Sequence, residues 1–106
     1  MKAFLIDPVA RTVTPHNIES WRDIAPALNC DLFDAVYLTP TTTVYVDDEG
    51  LYVPDQHFFM FPNGYQALAG RGLVLGVDLD TGDSIDCPLD QIQIESRIFW
   101  LGRRQP

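Results

Sequence analysis

The chain is 106 residues long and carries 15 Asp and Glu against 7 Lys and Arg, a formal net charge of −8. That length leaves room for one compact domain over 1–106, and 46% hydrophobic residues with 11% aromatics can supply its core. Duplex-DNA and anionic-membrane binders are excluded as ordinary readings, because neutralising phosphates needs clustered Lys and Arg.

The charge is uneven. Residues 1–95 hold all 15 acids against Lys2, Arg11, Arg22 and Arg71, a balance of −11, and the last eleven residues hold Arg97, Arg103 and Arg104 with no acid. Two cysteines, Cys30 and Cys87, are too few for the disulfide framework of a small secreted domain. The apolar run after Met1-Lys2 stops at Asp7-Pro8, short of a signal peptide, and nothing approaches the ~20 apolar residues of a membrane span. The expected setting is a reducing cytoplasm, with no membrane partner.

In chain order, residues 2–6 read as a first strand closed by Asp7-Pro8, and Val13 to Ile18 as a returning edge strand that includes Pro15. Ser20-Trp21-Arg22-Asp23 has a capping-box shape. With Pro26 inside it, the segment predicts a short, distorted helix over about 20–29, with Trp21, Ile24, Ala25 and Leu28 on one face. Phe33–Thr39 reads as a strand ended by Pro40. Thr43–Asp47 and Leu51–Val53 read as a hairpin around Asp48-Glu49-Gly50, in a register that puts Val44, Val46, Leu51 and Val53 on one face.

His57 to Phe61 is apolar without alternation, and Pro62-Asn63-Gly64 closes it as a turn; residues 65–69 suit one helical turn. Leu73–Leu79 is the clearest strand, and its return is Ser84–Cys87. A three-residue loop, Asp80-Thr81-Gly82, would pair Val77 with Ile85 and Leu75 with Cys87 on the inner face. Ile92, Ile94, Ile98 and Trp100 alternate with Gln93, Glu95, Arg97 and Phe99 and read as a last strand over about 92–101. The expected fold is α+β: a mainly antiparallel sheet of about six short strands with one short helix.

Asp78, Asp80, Asp83, Asp86 and Asp90 fall within thirteen residues. Calcium is a poor fit, since the glycine comes one place early and Leu89 stands where a bidentate acid belongs. The plain use of Asp-Thr-Gly-Asp is a solvated hairpin tip. Asp47-Asp48-Glu49 is a second acidic tip. With a body this acidic, the two tips become candidates for a partner surface, in which carboxylates stand in for phosphates in a basic channel. Asp78, Asp80, Asp83 and Asp86 would be central, and Asp47, Asp48 and Glu49 secondary.

No reaction is supported. His16 and His57 sit in no metal spacing, there is no G-x-S-x-G elbow, and Asp31 beside Cys30 disfavours a thiolate. Gly70-Arg71-Gly72 precedes a strand, unlike a phosphate-binding glycine loop, and reads as a turn with Arg71 on a nearby carboxylate. No cofactor or metal is expected. Phe58, Phe59, Phe61 and Tyr65 read first as core, with an aromatic contact patch for a partner or a second copy (a homodimer) as the alternative.

Met1-Lys2-Ala3-Phe4-Leu5-Ile6-Asp7-Pro8, Asp47-Asp48-Glu49-Gly50-Leu51 and Ala69-Gly70-Arg71-Gly72-Leu73-Val74-Leu75-Gly76 resemble a family of small uncharacterised proteins of bacteriophages, prophages and plasmids, a domain of unknown function. The resemblance implies a mobile-element origin and brings no catalytic residues. Small acidic proteins in that setting often inhibit host defence, including as DNA mimics. The resulting expectation is a non-enzymatic inhibitor of a basic nucleic-acid-binding host complex, of the anti-CRISPR or anti-restriction kind, that does not itself bind nucleic acid. The alternative is an accessory phage domain that binds a protein through its aromatic face, its acidity serving solubility.

Overall fold

The computed structural model describes residues 1–62, 64 and 66–103. The strands are β1 (Phe4–Asp7), β2 (Thr12–Pro15), β3 (Phe33–Thr39), β4 (Thr42–Asp47), β5 (His57–Met60), β6 (Leu68–Ala69), β7 (Gly72–Val77), β8 (Ser84–Ile85) and β9 (Phe99–Arg103). Two short helices, α1 (Ile24–Leu28) and α2 (Gln91–Glu95), complete an α+β fold. One sheet runs β2-β1-β7-β4-β3, with β8 also on β7, and a smaller one runs β6-β5-β9. Every strand pair among the described residues is antiparallel.

The large sheet is covered on both faces. Phe4, Ile6, Val13, Val44, Val46 and Val74 meet Phe59, Phe61 and Leu68 of the small-sheet layer, with Ile94 of α2. On the other face Leu73 and Leu75 meet Ile18, Ile24, Ala27 and Leu28. This sandwiching explains why β7 is a continuous apolar run: Gly72 to Gly76 are all buried, so both sets of alternate side chains face a core.

Capping chemistry sets both helices. The Arg22 N–H donates to Ser20 Oγ, and the Asp23 carboxylate accepts from the Glu19 and Ser20 amides, which opens a 3-10 turn over Trp21–Asp23. Pro26 falls in the first turn of α1, where a missing N–H costs no helical bond, and Asn29 closes the helix in the left-handed region at φ 56°. Trp21, expected on the apolar face, is 64% exposed with the Arg22 guanidinium over its ring.

Four further expectations fail. Leu51–Val53 is not a hairpin strand: β4 already pairs with β3 and β7, so a third partner has no edge, and Gly50–Tyr52 forms a 3-10 turn instead. Gly50 makes that turn pack, since a Cβ there would lie 2.9 Å from the Ala69 carbonyl oxygen. The β7–β8 register differs by one residue, pairing Val77 with Ser84 and Gly76 with Ile85, which leaves Ile85 and Leu79 exposed. The last segment is split. Asp90 and Gln93 cap each other (Gln93 N–H to Asp90 Oδ1, 2.8 Å; Asp90 N–H to Gln93 Oε1, 2.9 Å), so residues 91–95 are helical and the strand begins at Phe99. The helical turn expected over 65–69 is instead a strand at Leu68–Ala69, with Tyr65 outside the described residues.

Candidate protein-binding surface

The two acidic tips lie at opposite ends of β4. The Val77 N–H donates to the Thr41 carbonyl, 2.9 Å, which ties the 78–83 loop to the start of β4, and Asp47-Asp48-Glu49 follows its end. Five residue steps separate those ends, roughly 17 Å at strand rise. The carboxylates therefore form two patches and not one ridge.

At the first patch, half of the expected contact residues serve the fold. Asp78 Oδ1 accepts from the Asp80 and Thr81 amides, 2.9 and 3.4 Å, an Asx turn that shapes the loop. Asp86 Oδ1 accepts the Lys2 N–H at 2.7 Å, and the Cys87 N–H returns to the Lys2 carbonyl at 2.8 Å, so Asp86 pins the chain's start to the segment after β8. Asp80 and Asp83 stand exposed at the tip.

The second patch is denser because two segments meet there. The Asp48 N–H donates to the Leu32 carbonyl, 2.9 Å, which draws Asp31 and Leu32 beside the 47–49 tip. Strand pairing sets Asp34 against Val46 on the next position of the same edge. Asp47 Oδ1 accepts the Glu49 N–H at 2.9 Å and holds the turn. Asp31, Asp47 and Glu49 line an open cleft of about 700 Å³ with Cys30, Tyr52 and Pro54. Burial, then the nearby charges of Asp47 and Asp31, pushes the Cys30 thiol above its ordinary range, which disfavours a nucleophilic thiolate at neutral pH.

This patch also has an apolar part that sequence reasoning missed. Leu32, Leu51, Tyr52 and Val53 are exposed, Tyr52 to 82%. Alternation alone assigns Leu51 and Val53 to an apolar strand face; the available contrary signal is Pro54 directly after Val53, which has no N–H to donate to a ladder. Counter-charges are scarce. Among the described residues one ion pair forms, Arg103 to Asp55 at 4.0 Å, and it is exposed at both ends. Arg71, expected on a carboxylate, instead directs Nη1 at the Ala27 carbonyl of α1, 3.4 Å.

Phe58, Phe59 and Phe61 are buried, and Phe59 and Phe61 pack edge to face at 5.8 Å, so these three are core, as first read, and do not form the alternative contact patch; Tyr65 lies outside the described residues. Among the described residues no three His, Cys, Asp or Glu side chains are grouped so as to hold a metal ion. No described helix is long and apolar enough to cross a membrane.

Neither a curated protein nor a solved structure matches the chain. A family does match over residues 1–99, and the chain belongs to it: the Domain of unknown function (DUF3846).

Proposed function

We propose that this protein is a non-enzymatic binding module that docks on a basic partner protein through the end of β4. The observation that carries the reading is the mixed surface there: four exposed apolar residues, Leu32, Leu51, Tyr52 and Val53, beside Asp31, Asp34, Asp47, Asp48 and Glu49. Exposed apolar groups beside charged residues suit a contact with a desolvated centre and a polar rim. Tyr is also a frequent anchor of such contacts. The excess of carboxylates selects a partner rich in Arg and Lys, and steers its approach.

The partner class we favour is a nucleic-acid-binding complex of host defence, in the manner of a phage or plasmid inhibitor. Its support is the chain's acidity and its resemblance to proteins of mobile elements. The 78–83 tip, roughly 17 Å away along β4, would serve as a second, weaker contact.

The test is capture of partners from a defence-positive bacterial lysate, followed by binding measurements across a salt series. Affinity for the captured protein should fall steeply from low salt to several hundred millimolar, since rim charges are screened over ~8 Å at physiological ionic strength. Asp48→Asn with Glu49→Gln, and Tyr52→Ala alone, should each weaken binding by more than about tenfold. Asp80→Asn with Asp83→Asn makes the same charge change at the far tip and should cost less. Equal losses from both charge pairs would leave only overall charge at work, and no effect of Tyr52→Ala would remove the docking surface.

A further inference from the structure

We propose that a groove beside the outer edge of β3 binds an extended peptide segment in which two alternating apolar side chains are followed by a Lys or Arg. The proposal deepens the reading above, on which it rests only for the sign of the partner's charge.

The edge itself comes first. The large sheet ends at β2 on one side and at β3 on the other. β2 is short, four residues, and finishes in Pro15, two common ways of blunting an edge. β3 is seven residues long, contains no Lys and no Pro, and pairs on its outer side with no strand among the described residues. Such an edge is a template for an added strand, where main-chain bonds give affinity and the pockets beside it give selectivity.

Those pockets are present and have a direction. A cavity of about 310 Å³ lies on the inner face of β3, lined chiefly by Val36, Leu38, Val44, Phe61 and Leu68. A second, of about 350 Å³, shares Val36, Gln66 and Leu68 with the first and adds Asp34, Asp47 and Asp48. The groove thus runs from an apolar end at Leu38 to an acidic end at Asp34. Asp34 and Val36 share one face of the strand, about 7 Å apart at the two-residue step, and Leu38, at the bulge between Tyr37 and Thr39, lines the same cavity as Val36. A strand added antiparallel, like every pair among the described residues, would set apolar side chains opposite Leu38 and Val36 and then a cation opposite Asp34.

Asp34 explains how the edge is kept when nothing is bound. Its Oδ1 accepts the Ala35 N–H at 2.8 Å, so a backbone donor of β3 is occupied by the neighbouring carboxylate. A cation arriving opposite Asp34 draws that carboxylate toward itself and leaves the N–H for the carbonyl of the incoming strand. An acidic or neutral peptide has nothing to exchange. A second copy of this chain suits the groove badly: centred on Val36, two antiparallel β3 strands would set Asp34 of each against Leu38 of the other, placing carboxylates beside apolar side chains.

The experiment is an amide-resolved NMR titration of the intact protein with a capped hexapeptide of sequence LTVTKT. Shifts should concentrate at Asp34 to Leu38, Gln66 and Leu68. The LTVTET peptide should bind at least about tenfold more weakly. Asp34→Lys should invert that preference, and Gln66→Trp, a substitution at an exposed position, should obstruct both peptides while the melting temperature holds. Shifts confined to the 47–53 end, equal affinity for the two peptides, or concentration-dependent shifts along β3 in the protein alone would each overturn the proposal, the last by pointing to a second copy. Failure here with Tyr52→Ala still weakening lysate partners removes the groove and keeps the docking surface; the reverse result removes the docking surface and keeps the groove.

Discussion

Gly76 offers the sharpest test of the hairpin register, because the residue opposite it is the one that sequence reasoning misplaced. A Cβ at Gly76 would overlap the Asp86 carbonyl oxygen and would lie 3.0 Å from Ile85 Cγ1 and 3.1 Å from Pro88 Cδ. The oxygen is backbone, and it has little freedom to retreat. Lys2 is bonded to Asp86 Oδ1 at 2.7 Å and receives the Cys87 N–H at 2.8 Å, so the segment is held on both sides of that carbonyl. Overpacking against fixed backbone costs about 3 kcal/mol, at the upper end of the usual range. For a domain of this size each kcal/mol is about 4–8 °C, so Gly76→Ala should lower the melting temperature by more than about 12 °C.

Gly82→Ala is the matched control. Gly82 has φ +78° and nothing within 4 Å of the place an added methyl would take, so the substitution meets backbone strain alone. That strain is worth about 1–2 kcal/mol, less than the effect at Gly76. Thermal melts followed by circular dichroism, run on the parent and both variants, read the difference directly. A Gly76→Ala protein melting within about 3 °C of the parent, less than 1 kcal/mol, would refute the close crossing of β7 by the 85–88 segment.

Asp86→Ala should destabilise by about 1–2 kcal/mol through loss of a charged acceptor for the Lys2 amide, whereas Asp80→Asn should melt like the parent. Thr43 Oγ1 is buried with no hydrogen-bond partner among the described residues, so Thr43→Val should be neutral or stabilise by up to about 1 kcal/mol in denaturant titrations. The Glu19 and Ser20 amides, in that order, hold the Asp23 carboxyl below its ordinary value. A carboxyl with a depressed folded pKa contributes fully above its unfolded value and loses that contribution as pH falls through the folded one. Asp23→Asn should therefore be less stable than the parent at neutral pH, with the gap closing only in acid; a constant gap would contradict the cap. Cys30 should alkylate more slowly than a free thiol at neutral pH, since burial and then Asp47 and Asp31 raise its pKa, and Asp47→Asn should speed it.

Local chemistry was legible wherever one segment decides its own structure. β3 runs over the Phe33–Thr39 span read from its pattern and Pro40, and the 20–29 helix follows from Ser20, Asp23 and Pro26. The α+β class with an antiparallel sheet needed only strand counts and turn signals. The acidic tips were visible too, because Asp, Gly and Thr in short runs between strands mark turns whatever lies around them.

What the tertiary structure alone decided is which edges were already taken and which faces were covered. Leu51 and Val53 carry a strand-like pattern, but β7 holds the edge of β4 that they would need, a fact set by residues some twenty positions away. The hairpin register depended on the close passage of Asp86 over Gly76, whereas the alternation of Leu73, Leu75, Val77 and Ile85 favours the other register, with Ile85 inside. Ile92, Ile94 and Ile98 fit a strand by period, yet the reciprocal Asp90–Gln93 cap and the burial of Ile94 against the sheet favour a helix. The candidate surface depended on the same thing. A carboxylate's charge is a property of its residue, but whether Asp86 meets the Lys2 amide or Asp48 is drawn against Leu32 depends on chain crossings that no local pattern encodes.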